Sequence, residues 1–307
     1  MKKIIITYAV LAAALFSGLY FTSQKNNTEK QTISVLQTST GNIIKIDPEE
    51  FTAGTVSGEM PADFEIEALK AQAVAVRTYL FYKKDGGKKH KNADICDNPA
   101  CCCAFYTKQQ LADKKGEQWI LEGYEKISKC VSDTKGEILT YEGKPILAVF
   151  HSAAGGGRTE NSEDVWQTAL PYLKSVKTEG EDKKQNYKTT VTISFDEFKK
   201  RVSEKRPSAN FEAAAVENPS LTQGGAVSEI KFFGESFKGV EVRSMFGLKS
   251  ACFNAEQVDN NVIFTVYGSG HGVGMSQYGA QSMAQNGSGY KEILSKYYKG
   301  AEIKKIY

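Results

Sequence analysis

The chain has almost no excess of charge of either sign. Its 307 residues carry 39 Lys+Arg against 36 Asp+Glu, and the net +3 leaves no electrostatic footprint for a nucleic acid while not repelling an anionic wall or membrane. There is no internal repeat, which excludes a solenoid or propeller. No Gly-Lys-Ser/Thr follows the glycine-rich stretches and neither contains His-Glu-x-x-His, so phosphate-loop and zinc-protease readings lack their signatures. A regular βαβ rhythm is also missing; strand-like and helix-like segments mix irregularly, which argues for an α+β fold. The 41% hydrophobic, 24% charged composition is that of a globular protein.

One long apolar run is present. Ile4 to Phe21 is uncharged and follows Lys2 and Lys3; at about 18 residues it reaches the ~17–25 that span a bilayer. Ala13, Phe16 and Gly18 make a poor cleavage site, so an uncleaved signal-anchor (residues 1–24) is favoured over a removed signal peptide, with the N-terminal lysines in the cytoplasm and the rest of the chain outside. Residues 25–40 read as a polar linker. Residues 41–307 form the extracytoplasmic domain, with a second lobe expected over about 177–260. Strands are expected at Asn42–Ile46, Glu137–Tyr141, Pro145–Phe150, Thr189–Ser194, Val227–Phe233, Val240–Arg243 and Asn261–Tyr267. Helices are expected at Pro61–Lys84, Thr107–Tyr124, Phe195–Glu204, Met275–Gln285 and Tyr290–Tyr298.

Two stretches are polar where scaffold would be apolar. In the first helix Asp63 is the expected N-cap, and Glu67 shares a face with Lys70, Ala71, Val74 and Thr78, while Glu65 lies about 200° away around the 3.6-residue period. A carboxyl with apolar residues on one side and an ammonium on the other suits a general acid; the plainer alternative is a first-turn glutamate complementing the helix dipole. The second stretch, Gly268-Ser-Gly-His-Gly-Val-Gly-Met-Ser-Gln-Tyr-Gly-Ala280, follows a strand and gathers His271, Ser276, Gln277 and Tyr278, with Ser276 placed to cap the following helix. A similar corner after Phe150 carries His151 and Ser152.

His90, Cys96, Cys101, Cys102 and Cys103 crowd one lysine-rich loop, and three readings are open. His90, Cys96, Cys101 and Cys102 make a tetrahedral zinc set, structural because all four ligands would come from protein. Disulfides that include Cys130 and Cys252 are the second reading, and idle thiols the third.

Taken in order, Glu67-Ala-Leu-Lys-Ala-Gln-Ala-Val-Ala-Val-Arg-Thr-Tyr79, Phe150-His-Ser-Ala-Ala-Gly-Gly-Gly-Arg-Thr-Glu160, Val165-Trp166, Pro171-Tyr-Leu173 and the Gly268–Ala280 stretch resemble the stage II sporulation protein D family, with Arg158 an addition between glycine and threonine. The resemblance implies a membrane-anchored lytic transglycosylase that trims denuded peptidoglycan strands during forespore engulfment, leaving 1,6-anhydro ends. It implies Glu67 as the single acid/base, with Lys70, Gln72, Arg77, His151, Ser152, His271, Ser276, Gln277 and Tyr278 lining or supporting the glycan cleft. Implied partners are a stage II sporulation amidase and a membrane scaffold. A related branch of amidase enhancers offers a non-catalytic, glycan-binding alternative. The cysteine loop lies outside the shared motifs.

Overall fold

A computed structural model describes residues 32–87 and 89–307. The expected anchor lies outside the described residues, and among these no helix is long and apolar enough to cross a membrane. Strands and helices mix as expected for an α+β chain, with the strands distributed among small sheets of two or three.

The first hydrophobic cluster is organised around the helix Ile66–Lys84. Leu69, Ala73, Val76 and Leu80 are each 1% exposed or less, and burial runs nearly all the way round, the mark of a central helix. It packs against the helices Pro48–Glu59, Glu125–Asp133, Gln277–Gln285 and Tyr290–Tyr297 and the strand Glu137–Tyr141. A second cluster gathers Phe198, Phe232, Phe246 and Phe264 between the helices Phe195–Lys205 and Gly239–Phe246, the hairpin Val227–Phe232/Glu235–Lys238, and an antiparallel sheet. That sheet runs Phe253–Val258, Asn261–Tyr267, Lys188–Ser194.

Several local expectations are corrected. The central helix begins at Ile66, not Pro61; Pro61 to Phe64 form a turn, and the Glu65 N–H donates to the Gln281 side chain at 2.7 Å, so Asp63 caps nothing. Within the polar stretch read as linker, Ile33–Leu36 is a strand that pairs antiparallel with Ile43–Ile46 and parallel with Ile95–Cys96, burying Ile33 and Val35. The helix Pro48–Glu59 was not expected, although Asp47 caps it by accepting the Glu49 N–H at 2.8 Å and Pro48 opens its first turn. Val240–Arg243 lies in a helix, because burial of Val242 and Phe246, four residues apart, outweighs the β preference of the valines. The expected strand Pro145–Phe150 is split into Lys144–Pro145 and Phe150–His151. The expected helix Thr107–Tyr124 breaks at Gly116, whose φ is +89°.

One short pairing positions everything below. Phe150–His151 runs parallel to Met275–Ser276, and Ala153 and Ser269 exchange backbone hydrogen bonds at 3.1 and 2.8 Å, which brings the two glycine-rich corners side by side. Gly268 turns at φ +72°, and a Cβ there would lie 2.5 Å from the Ala153 carbonyl oxygen, so the backbones could not meet with any larger residue.

Candidate active site

A cavity of about 450 Å3 is lined by Glu59, Tyr79, Lys83, Trp166, His271 and the cysteine loop. Glu59 is the last residue of the helix Pro48–Glu59. Its Oε1 accepts the Ala104 N–H at 2.8 Å. Burial pushes its carboxyl above the usual carboxylate range, against the lowering effect of that hydrogen bond. The C-terminal end of a helix dipole acts in the same direction as burial. A carboxyl whose pKa is raised in a cavity is suited to act as a general acid.

His271 forms part of the wall, with its ring centroid 5.2 Å from Trp166 and 5.8 Å from His151. Its Nδ1 accepts the Val273 N–H at 3.1 Å, and His151 Nδ1 donates to the Val273 carbonyl at 3.1 Å, so the proton sits on opposite ring nitrogens in the two residues. Burial lowers His151 to about 4 and His271 to about 3, which keeps both rings neutral at physiological pH. His151 Nε2 is buried without a protein partner.

The other expected site residues do not converge on this cavity. Glu67 stands in the first turn of its helix, with its side chain 34% exposed; Lys70 Nζ lies 3.0 Å from Oε1, and the Tyr290 N–H donates to Oε2 at 2.8 Å. Twelve residues separate it from Tyr79, about 18 Å along the axis at 1.5 Å per residue. Lys70 also lies 3.8 Å from Asp133. Arg77 is fully buried against Glu49 and the carbonyls of Val131 and Glu137, which makes it a core ion pair without access to a ligand. Gln72 is fully buried with neither amide atom partnered, and Gln277 is buried with a free Nε2. Ser276 caps its helix as expected, accepting the Gly279 N–H at 3.2 Å and donating to Glu181 Oε2 at 2.8 Å. The Ser152 carbonyl accepts the Tyr278 N–H at 3.1 Å. The Tyr278 ring packs edge-on to Phe64 at 5.1 Å and lines a different groove, with Gln281 and Gln285.

Sequence reasoning missed Glu59, Lys83 and Glu181. Glu181 ties the corners together, accepting from Thr178 Oγ1 at 2.6 Å, Ser276 Oγ and the Ala154 N–H, and burial raises its pKa. Glu59 carried a usable signal: a glutamate that closes a helix opposes the dipole, and such local conflicts collect at functional sites.

The cysteine loop does converge. His90 Nε2 lies 3.6 Å from both Cys101 Sγ and Cys102 Sγ, those sulfurs are 3.9 Å apart, and the ligand atoms of His90, Cys96, Cys101 and Cys102 all fall within 4.8 Å of one another. Bonds of about 2.3 Å to sulfur and about 2.0 Å to nitrogen in a tetrahedron put ligands about 3.5–3.8 Å apart. All six cysteines are unpaired, and 3.9 Å is far beyond the ~2.05 Å of a disulfide. The neighbouring lysines do not make Cys96 a ready thiolate, since burial pushes its thiol up to about 12.

A family model described as stage II sporulation protein matches residues 36–141. The stage II sporulation protein D of Bacillus amyloliquefaciens is 36% identical over 273 residues, covering 88% of this chain and 78% of the relative, and that of Bacillus subtilis (strain 168) gives the same figures. An amidase enhancer of Bacillus subtilis (strain 168) is 27% identical over 307 residues, 81% of this chain and 40% of the relative.

Proposed function

The chain belongs to the stage II sporulation protein D family, and from that premise we propose that it is a lytic transglycosylase cutting the β-1,4 bond after N-acetylmuramic acid in peptide-stripped peptidoglycan. The observation that carries the reading is Glu59, a carboxyl raised by burial in a cavity between the central helix and the paired corners. Most glycosidases need two carboxylates because water or an enzyme nucleophile must be activated. Here the sugar supplies its own nucleophile. Glu59 gives its proton to the departing glycosidic oxygen as the anomeric C–O bond breaks; the muramic 6-hydroxyl oxygen bonds to that anomeric carbon, and the Glu59 carboxylate takes the hydroxyl proton. The products are a 1,6-anhydro end and a free 4-hydroxyl, with Glu59 again protonated. The Ala104 N–H supports the carboxylate between the two transfers. Glu59 thus takes the role that the sequence suggested for Glu67, whose charge is already engaged by Lys70 and Tyr290.

His90, Cys96, Cys101 and Cys102 would hold a structural zinc ion, fixing the loop that presents Ala104. The apolar run Ile4–Phe21 would keep the chain on the cell membrane with the domain outside, beside an amidase that strips the stem peptides and a scaffold that holds both. The name of the amidase enhancer relative favours a second reading, a glycan binder that stimulates an amidase without cutting. Mass spectrometry of products from purified stripped strands decides between them: anhydro ends support the transglycosylase, and uncut strands leave the binder. An N-terminus beginning beyond Gly18 on the mature protein would remove the anchor.

A further inference from the structure

The cavity that holds Glu59 also holds an ammonium the chemistry above does not use. Lys83 is 6% exposed and lines that cavity together with Lys89. Its Nζ sits 5.3 Å over the ring of Tyr79, and among the described residues it forms no salt bridge or hydrogen bond. Lys89 Nζ is directed to the Cys101 carbonyl, at 3.3 Å. Around it stand the Tyr79 ring, the thiols of Cys101, Cys102 and Cys103 and the like-charged Lys89, with no carboxylate among the described residues paired to it, and a buried cation so placed gains when an anion arrives.

Building on the proposed activity, we infer that Lys83, seconded by Lys89, is a carboxylate subsite that reads the free lactyl group of peptide-stripped muramic acid. On a stripped strand the sugar hydroxyls and acetamides are neutral, and the lactyl carboxylate on O3 is the one anion. It sits on the same ring whose anomeric bond must meet Glu59, so acid and cation belong in one cavity. While a stem peptide is attached, that carboxylate is an amide and the muramic ring itself offers the ammonium no ion to pair with. A cleft that merely lacks room for the peptide would not need the charge.

The test is binding to the full chain carrying Glu59→Gln, so that no turnover intervenes. Three oligosaccharides are compared: stripped, stripped with the lactyl carboxylate converted to its methylamide, and bearing the intact stem. The carboxylate form should bind about tenfold or more tighter than the methylamide, the range for a desolvated charge-assisted contact. Lys83→Gln should bring that ratio close to one, and Lys83→Arg should keep most of it. No preference in the Lys83 protein, or an unchanged ratio in Lys83→Gln, would overturn the assignment. Equal weakening of both ligands together with loss of bound metal would also overturn it, since Lys83 would then only balance the thiolate loop. If the stem-bearing form binds as tightly as the stripped one and depends equally on Lys83, the carboxylate being read is the peptide's and the lactyl assignment fails. These ratios do not depend on cleavage, so loss of the transglycosylase reading would show separately, as anhydro product persisting in Glu59→Gln.

Discussion

Arg77 and Glu49 meet in a two-point contact, Nε to Oε1 at 2.8 Å and Nη2 to Oε2 at 2.6 Å, with the guanidinium completely out of solvent. The contact fastens the central helix to the start of the helix that ends in Glu59. Arg77→Met removes the buried guanidinium, while Glu49, 18% exposed, keeps the Gly136 N–H and the Tyr307 hydroxyl; the loss should cost about 1.5–3 kcal/mol, the range for hydrogen bonds to a charged group. Denaturant unfolding should show this as a lower midpoint with an unchanged slope. A midpoint equal to that of the parent, with activity lost, would instead make Arg77 a ligand contact.

Glu59→Gln keeps shape and volume but cannot pass a proton. Anhydro product should form about 10²–10⁴ times more slowly, the range for losing a general acid–base. Glu67→Gln should retain most activity and lose only part of its tie to Lys70 and Tyr290. The same product assay on both variants separates the two glutamates, and the opposite ranking would return the acid role to Glu67.

Protein purified without added metal should contain about one equivalent of zinc, removed by Cys96→Ala or His90→Ala. Because a structural ion stabilises what it binds, chelation should lower the melting temperature. Elemental analysis finding no metal, with paired-disulfide masses, would assign the loop to disulfides.

Opposing pH effects should bracket stability. The carboxyls of Glu59, Glu160 and Glu181 are raised in the folded state, so the folded chain binds more protons than the unfolded one as pH climbs past about 4.5. Their contribution is whole below that value and is lost as pH rises through the folded pKa values. His151 and His271 are depressed, so their contribution is whole above about 6.5 and is lost as pH falls toward about 4 and about 3. Melting temperatures across pH 3–9 should show a flatter alkaline side in Glu181→Gln and a flatter acid side in His151→Gln; slopes matching the parent would contradict these assignments.

Periodic segments were legible in the sequence, and so were the two glycine-rich corners, the cap at Ser276 and the four metal-type ligands, because each is signalled by residues near one another in the chain; the pairing of the corners was not. Glu59, the acid proposed above, is not legible in the same way. Glu59 is remote in sequence from Trp166 and His271, with which it lines one cavity, and burial raises its pKa; no local pattern records either. Glu67 has a lysine three residues on, as the sequence shows, and that same lysine engages it in the folded chain. Val240–Arg243 was misread for a related reason, since burial against the second cluster sets its helical state.

The parallel pairing of Phe150–His151 with Met275–Ser276 bears on the order of folding. Residues 152–274 lie between the two partners, and they include every aromatic of the second cluster. Closing so long a loop is unfavourable until the intervening chain has compacted, so the wall bearing His271 should be among the last parts of the molecule to form. The cavity would then stay incomplete until residues 261–276 had docked, and a ligand could be held there only by the finished fold. Pulse-labelled hydrogen exchange during refolding should find amides 269–279 protected later than those of the central helix.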